Sequence, residues 1–356
     1  MLPVGRAISH AAVCLSAVIG AGFASGRELM SFFSQYGASS WLGIGSAASA
    51  MGLLGWFLMT LAAQTGQTAL PGLCRQLLGA WGWLGTCAFS LLLGITAGAM
   101  AAAGGELFSL VWPFSGGYSL GVGATLGLAL LSAPRGLKML KIAGYALIPG
   151  ILLMFGLSER IPAWEGHFLA SSVLPMAMLK GLAYAGMNMT LAAPVLLEMA
   201  AHTDAKGRRI TSAAFGCMLL GLMALGNHVL LRHPELAGEP LPMVQLLRSQ
   251  GYGGFYLCVS GLYLAVFSTL LAALRGLYTA WQPSLKGYAL PAAGGAALTA
   301  ALGGFTSLIE GVYPLVGWVC IVLLALMGLR LKPAGKCAIM PKINHKGAPY
   351  EPKRNF

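Results

Sequence analysis

The sequence predicts an all-α integral membrane protein, with ten transmembrane helices arranged as two five-helix repeats of opposite orientation. Three observations carry this reading. The composition is 57% hydrophobic and only 9% charged, with mean hydropathy +0.75, whereas soluble domains carry about 25% charged residues. Glycine, proline and charged breakers divide the chain into runs long enough to cross a bilayer, each needing roughly 20 apolar residues. The second half of the chain repeats landmarks of the first.

The expected spans are residues 6–33, 39–63, 82–112, 117–133, 137–157, 174–199, 209–231, 252–281, 286–303 and 309–331. The first is too long for a cleaved signal peptide and has no small-residue cleavage site, so it reads as a retained span. Lys and Arg set the orientation. With the N-terminus in the cytoplasm, the outer loops hold only Arg160, Arg232 and Arg248. Arg27 and Lys180 lie inside spans, and the remaining Lys and Arg fall on the cytoplasmic side. The expected location is therefore the cell (inner) membrane, multi-pass, with both termini cytoplasmic. The net charge of +12 is an orientation signal and not a nucleic-acid face, because the charges sit in short loops. The bilayer and a small-molecule solute are the expected partners, with no nucleic acid and no obligate protein partner.

At an offset of 171, Leu70-Pro71 recurs as Leu241-Pro242, Gly82 as Gly253, Cys87 as Cys258 and Leu91 as Leu262. Each Leu-Pro opens a short amphipathic stretch, Leu73 to Leu78 and Val244 to Leu247, that leads into a long span. The expected division is residues 1–163 for the first repeat, 164–331 for the second and 332–356 for a basic tail. The tail reads as a mobile cytoplasmic end or as a segment drawn to anionic lipid. Five is odd, so the second copy enters the membrane the other way up, as in transporter folds. The seven cysteines are scattered and read as small buried apolar residues. The six histidines lack metal-ligand spacing and read as solvated.

The first span contains Val18-Ile19-Gly20-Ala21-Gly22-Phe23-Ala24-Ser25-Gly26-Arg27-Glu28. Glycine is a poor helix former, and a charged pair at membrane depth is expensive unless it faces protein or water. The pattern predicts a helix interrupted inside the membrane. Repetition predicts a second interruption in the sixth span, around Gly186 to Asn188, where Gly181, Gly186, Asn188, Thr190 and Pro194 fall.

This first motif resembles that of the YkvI-type membrane proteins. Tyr184 with Asn188, and Phe267-Ser268-Thr269, fit the same pattern, and the resemblance extends through Arg330. It implies an amino-acid permease of the amino acid-polyamine-organocation superfamily. It also implies a five-plus-five inverted-repeat fold like that of the sodium-coupled leucine transporter, with helices 1 and 6 broken.

Freed amides around Gly20, Ala21, Gly22 and Phe23 can hydrogen-bond a solute carboxylate, and the resemblance points the same way. Packing of small residues is the competing explanation. Tyr184 and Asn188 would face this stretch, as gate and polar contact or as structural groups. Arg27 and Glu28 read as a structural or gating ion pair, formed with each other or with groups across the extracellular vestibule; solute contact and a purely interfacial pair are the other possibilities. On the eighth span, the Ala265 carbonyl and the Ser268 and Thr269 hydroxyls share a face and offer hard oxygens suited to Na⁺. The resemblance adds the carbonyls of Ala17 and Gly20. Hydrogen bonding of Ser and Thr to their own helix is the competing account. Lys180 reads as a snorkelling residue or a neutraliser of Glu28 or Glu106, and Glu198 as interfacial. Gly117-Tyr118-Ser119-Leu120-Gly121 matches G-x-S-x-G but opens a hydrophobic span, without the strand that a nucleophile elbow requires.

The expectation is a secondary active transporter of a small zwitterionic solute, an amino acid, working by alternating access. Na⁺ is preferred as the coupling ion and no other cofactor is expected. The alternatives are a proton-coupled permease and a non-transporting receptor on the same fold.

Overall fold

The computed structural model describes residues 3–162, 174–239, 241–303 and short helical pieces within 318–327. Most of the expected tenth span, the tail, Cys320, Cys337, His167 and His345 lie outside the described residues, as does the boundary expected between the repeats.

Among the described residues every regular element is helical. In chain order these are α1 (Pro3–Val18), α2 (Ala21–Ala24), α3 (Arg27–Phe32), α4 (Ser40–Thr65), α5 (Leu70–Leu78), α6 (Gly82–Val111) and α7 (Gly117–Ser132). They continue as α8 (Gly136–Ser158), α9 (Leu174–Ala200), α10 (Ala205–Leu231), α11 (Pro242–Arg248), α12 (Tyr252–Leu285) and α13 (Ala289–Ala301). Among the described residues, five helical stretches are long and apolar enough to cross a membrane by length and composition: Ser34–Thr65, Leu70–Val111, Gly117–Ser158, Ala205–Leu231 and Tyr252–Ala301. The protein is a membrane protein whose helices present apolar side chains outward as well as inward. Leu91 of α6 is 64% exposed and Leu131 of α7 is 80% exposed, which suits contact with lipid. Trp81, Trp83, Trp112, Tyr252 and Tyr288 are exposed near helix ends, where amphipathic rings favour a membrane interface.

The helices associate in two groups. In one, α1, α4, α9 and α10 pack on one another; in the other, α6 packs against α7, α12 and α13. Helix α8 touches both α1 and α12, and so spans the two groups. The two Leu-Pro stretches form the short helices α5 and α11, each with proline in its first turn, where the missing N–H is harmless.

One expectation about the sixth span is corrected. Helix α9 runs without interruption from Leu174 to Ala200, through Gly186, Asn188 and Pro194. Its polar side chains bond their own helix: Asn188 Nδ2 donates to the Tyr184 carbonyl at 3.1 Å, and Thr190 Oγ1 to the Gly186 carbonyl at 3.3 Å. Gly181 is there for close packing, because a side-chain carbon at that position would overlap the Gly43 carbonyl of α4. Small residues that let two membrane helices approach explain this composition without a break.

Two smaller readings also change. Cys14, Cys74 and Cys258 are buried, but Cys87 and Cys217 are exposed, as weakly polar side chains on outward faces of apolar helices. His233 is not solvated: it is 3% exposed and its Nδ1 lies 3.0 Å from Glu235 Oε1.

Candidate functional site

The first span does not continue as one helix. Ile19 still donates to the Leu15 carbonyl at 2.8 Å, but α1 stops at Val18 and Gly20 is extended, with φ −98° and ψ −169°. The chain restarts as α2 at Ala21, turns at Ser25-Gly26 and continues as α3 from Arg27. Such an interruption leaves the last carbonyls of α1 and the first amides of α2 without intrahelical partners. The three glycines serve three purposes. Gly26 has φ +81°, a left-handed conformation that costs other residues energy. A side-chain carbon at Gly20 would sit 3.3 Å from both Met100 Sδ and Thr269 Oγ1. One at Gly22 would overlap the Glu28 carboxyl, lying 2.6 Å from its Cδ.

The expected cation ligands divide into two kinds. Ser268 behaves as an ordinary membrane serine, donating to the Ala265 carbonyl at 3.1 Å. Thr269 does not: its Oγ1 is buried and has no hydrogen-bond partner among the described residues. An unpaired buried hydroxyl costs about 1–3 kcal/mol. It faces Gly20, where the first span is interrupted. Ala17, Ala265, Ser268 and Thr269 are all at most 1% exposed. This set of hard oxygens, one of them orphaned, fits a small monovalent cation.

A second cluster lies on the other side of the break. Glu28 is 4% exposed, and its Oε2 has no hydrogen-bond partner among the described residues. It rests against Gly22 and faces the buried Tyr184 hydroxyl, which also lacks a partner in hydrogen-bond geometry among the described residues. The Tyr184 ring is held edge-on by Phe32 at 5.4 Å and Phe33 at 5.2 Å.

Several expected site residues turn elsewhere. Arg27 and Glu28 do not pair. Arg27 Nη1 donates to the carbonyls of Ala237 at 3.1 Å and Glu239 at 3.0 Å. Phe23 is buried with its ring centroid 6.4 Å from that of Phe155 in α8. Lys180 holds its Nζ 5.9 Å from the centre of the Phe32 ring. Glu198 is not a simple interfacial residue: Arg275 of α12 grips it at 2.8 Å and 3.3 Å and also donates to the Ala133 carbonyl. Sequence reasoning missed this pair, and also Met100, which α6 brings against Gly20. No spacing rule relates residues 77 positions apart.

Glu28, Tyr184, Ser268 and Thr269 are all buried. Near the beginning of α1, however, a cavity of about 470 Å³ is lined by Arg6, Ser9, His10, Lys138, Lys141 and His202, among others.

No family model matches the chain. Over 342 residues it is 26% identical to the uncharacterized membrane protein YkvI of Bacillus subtilis (strain 168), a match covering 92% of this chain and 97% of that protein. This chain is a relative of YkvI. Alongside YkvI stand solved structures that share the fold at low identity. A Na⁺-coupled sialic acid symporter, in its substrate-bound outward-open state, superposes with a TM-score of 0.62 at 11% identity, covering 91% of this chain and 78% of that one. A nucleobase-cation-symport-1 family transporter, closed around bromovinylhydantoin, gives 0.59 at 14% identity, covering 91% and 76%. These likenesses show that the chain shares the fold of these two transporters.

Proposed function

We propose that this protein is a secondary active transporter of a small solute, working by alternating access across the cell (inner) membrane with both termini in the cytoplasm. One observation carries the reading. Among the described residues the buried hydroxyl of Thr269 lacks a partner, and it faces the interrupted backbone at Gly20, on a fold that the Na⁺-coupled symporter also has. Oxygens of Ala17, Gly20, Ala265, Ser268 and Thr269 would hold Na⁺. When bound, that ion supplies a fixed positive charge beside the break and ties solute movement to its own gradient.

The solute is an amino acid in this reading. Its carboxylate meets the freed amides of Gly20 to Phe23, and Tyr184 and Asn188 stand across from it. Helices α1, α4, α9 and α10 move as one body against α6, α7, α12 and α13, in keeping with their separate packing. Residues 1–163 and 164–331 are the two inverted repeats of this machine, and the ten-span count belongs to the same proposal. Arg27 works at the outer side, where it ties the α2–α3 turn to the Ala237–Glu239 backbone.

Thermal unfolding of the purified full chain tests the ion site. Na⁺ is expected to raise Tm over an equal concentration of K⁺, and a screen of amino acids is expected to find a further rise that depends on Na⁺. Identical curves in the two salts, with and without every amino acid, would count against the reading.

A further inference from the structure

The Glu28 carboxyl is the least expected group in the core. A carboxylate removed from water without a partner is among the most expensive arrangements a protein can hold. Glu28 comes close to that description: it is 4% exposed, its Oε2 has no partner in hydrogen-bond geometry among the described residues, and the neutral Tyr184 hydroxyl is the polar side chain it faces. Neither nearby cation serves it. The Arg27 guanidinium is directed to the backbone of residues 237 and 239, and Lys180 stands over the outer ring of Phe32. No ion pair joins either of them to Glu28. Around the carboxyl are the Gly22 backbone, the Tyr184 hydroxyl and the aromatic group of Phe32, Phe33 and Tyr184.

We propose that Glu28 is the recognition residue of the solute site and selects solutes by binding their protonated nitrogen. The inference rests on the reading that the interrupted stretch is a solute site, and it names the residue that selects the solute's ammonium group. An ammonium group supplies the positive charge that Glu28 lacks, through strong charge-assisted hydrogen bonds. Its N–H groups can also donate to the Tyr184 oxygen. Aromatic rings beside it favour an organic cation through their quadrupoles. The hard-oxygen set suited to Na⁺ lies on the other side of the break, at Thr269. Glu28 and the freed backbone at Gly22 adjoin, so a compound with its amine and carboxylate on one carbon can reach both. The ammonium is the obligatory group, and the carboxylate adds to it.

The test uses purified full-length protein in NaCl, with calorimetry and thermal shift against matched sets: an L-amino acid, the amine left by its decarboxylation, and the acid left by removing its nitrogen. Sets covering small, large apolar and polar side chains are compared. At least one amino acid or amine is expected to bind, and none of the nitrogen-free acids. Glu28→Gln is expected to weaken the active compounds by about tenfold or more, the scale of a lost charge-assisted contact. It should leave the Tm of the ligand-free protein unchanged or higher, because the buried charge is gone. A Glu28 that merely supports the fold would lower that Tm. Tyr184→Phe keeps the ring packing and is expected to weaken the same compounds without affecting the Na⁺ response.

Three results would overturn the proposal: a nitrogen-free acid binding as well as its parent, Glu28→Gln binding the amines unchanged, or wild-type protein binding no ammonium compound in the sets. Uptake separates the two claims. If a solute without an amine accumulates under a Na⁺ gradient in wild type and Glu28→Gln alike, recognition by Glu28 falls and transport stands. If amines bind but never accumulate under any ion gradient, transport falls and recognition stands.

Discussion

Thr269 and Gly20 are locked against each other: a side-chain carbon at Gly20 would stand 3.3 Å from the Thr269 hydroxyl oxygen, which has no hydrogen-bond partner of its own among the described residues. A threonine on a membrane helix ordinarily returns its proton to a carbonyl one turn back. Here the neighbouring Ser268 takes the Ala265 carbonyl at 3.1 Å, and Thr269 is left facing the interruption.

The first prediction follows. Thr269→Ala is expected to abolish the stabilisation by Na⁺ while lowering the Tm in K⁺ little, because a hydroxyl without a partner contributes little to the fold. Gly20→Val should abolish the same response by filling the space. Titration of Tm with NaCl for the three proteins checks this. A Thr269→Ala protein with the wild-type Na⁺ response would make the hydroxyl a bystander.

Gly26 gives a stability prediction. With φ +81° and Leu230 and Met243 carbons 3.2 Å from any added carbon, Gly26→Ala is expected to cost about 1–2 kcal/mol. Gly221, inside α10 with open space around it, is the control. Gly221→Ala should be neutral or stabilising by up to about 1 kcal/mol. Melting temperatures of the two variants should therefore move apart. Equal shifts would contradict the conformational argument.

Much of this architecture was legible in the residues, for physical reasons that can be named. Composition gives the membrane class because lipid tolerates few charges. Gly20, Gly22 and Gly26 signal trouble for a helix because glycine and an adjacent charged pair are doubly costly at depth. The same reasoning failed at Gly181 and Gly186. A glycine needed for backbone freedom and one needed for close packing look alike in a sequence, and only the approach of Gly43 to Gly181 separates them. Asn188 was equally ambiguous until its bond to the Tyr184 carbonyl placed it within its own helix. Arg27 and Glu28 could pair with each other or across the vestibule as far as the sequence goes; consecutive residues on a helix point in different directions, and Arg27 turns to the backbone of residues 237 and 239. Glu198 and Arg275 could not be joined at all, because nothing local in either span refers to the other.

The continuous α9 makes its own prediction. Gly181→Ala is expected to destabilise the protein by about 1–3 kcal/mol through overpacking against α4, although alanine is the better helix former. A Gly181 not pressed against α4 would instead gain from that substitution. The sign of the change in Tm decides.

The Arg275–Glu198 pair joins α9 of one helix group to α12 of the other, with side chains 18% and 27% exposed. A double-mutant cycle of Arg275→Gln and Glu198→Gln should show coupling of about 1 kcal/mol, allowing for partial solvent screening. Strictly additive shifts would leave the two groups without this tie.

The most direct measurement is uptake of labelled amino acids into proteoliposomes holding the purified full chain, under an inward Na⁺ gradient and with Na⁺ equal on both sides. The account predicts transient accumulation above the external concentration under the gradient, and simple equilibration without it. Equal uptake in both conditions, or accumulation driven by a proton gradient in the absence of Na⁺, would contradict it.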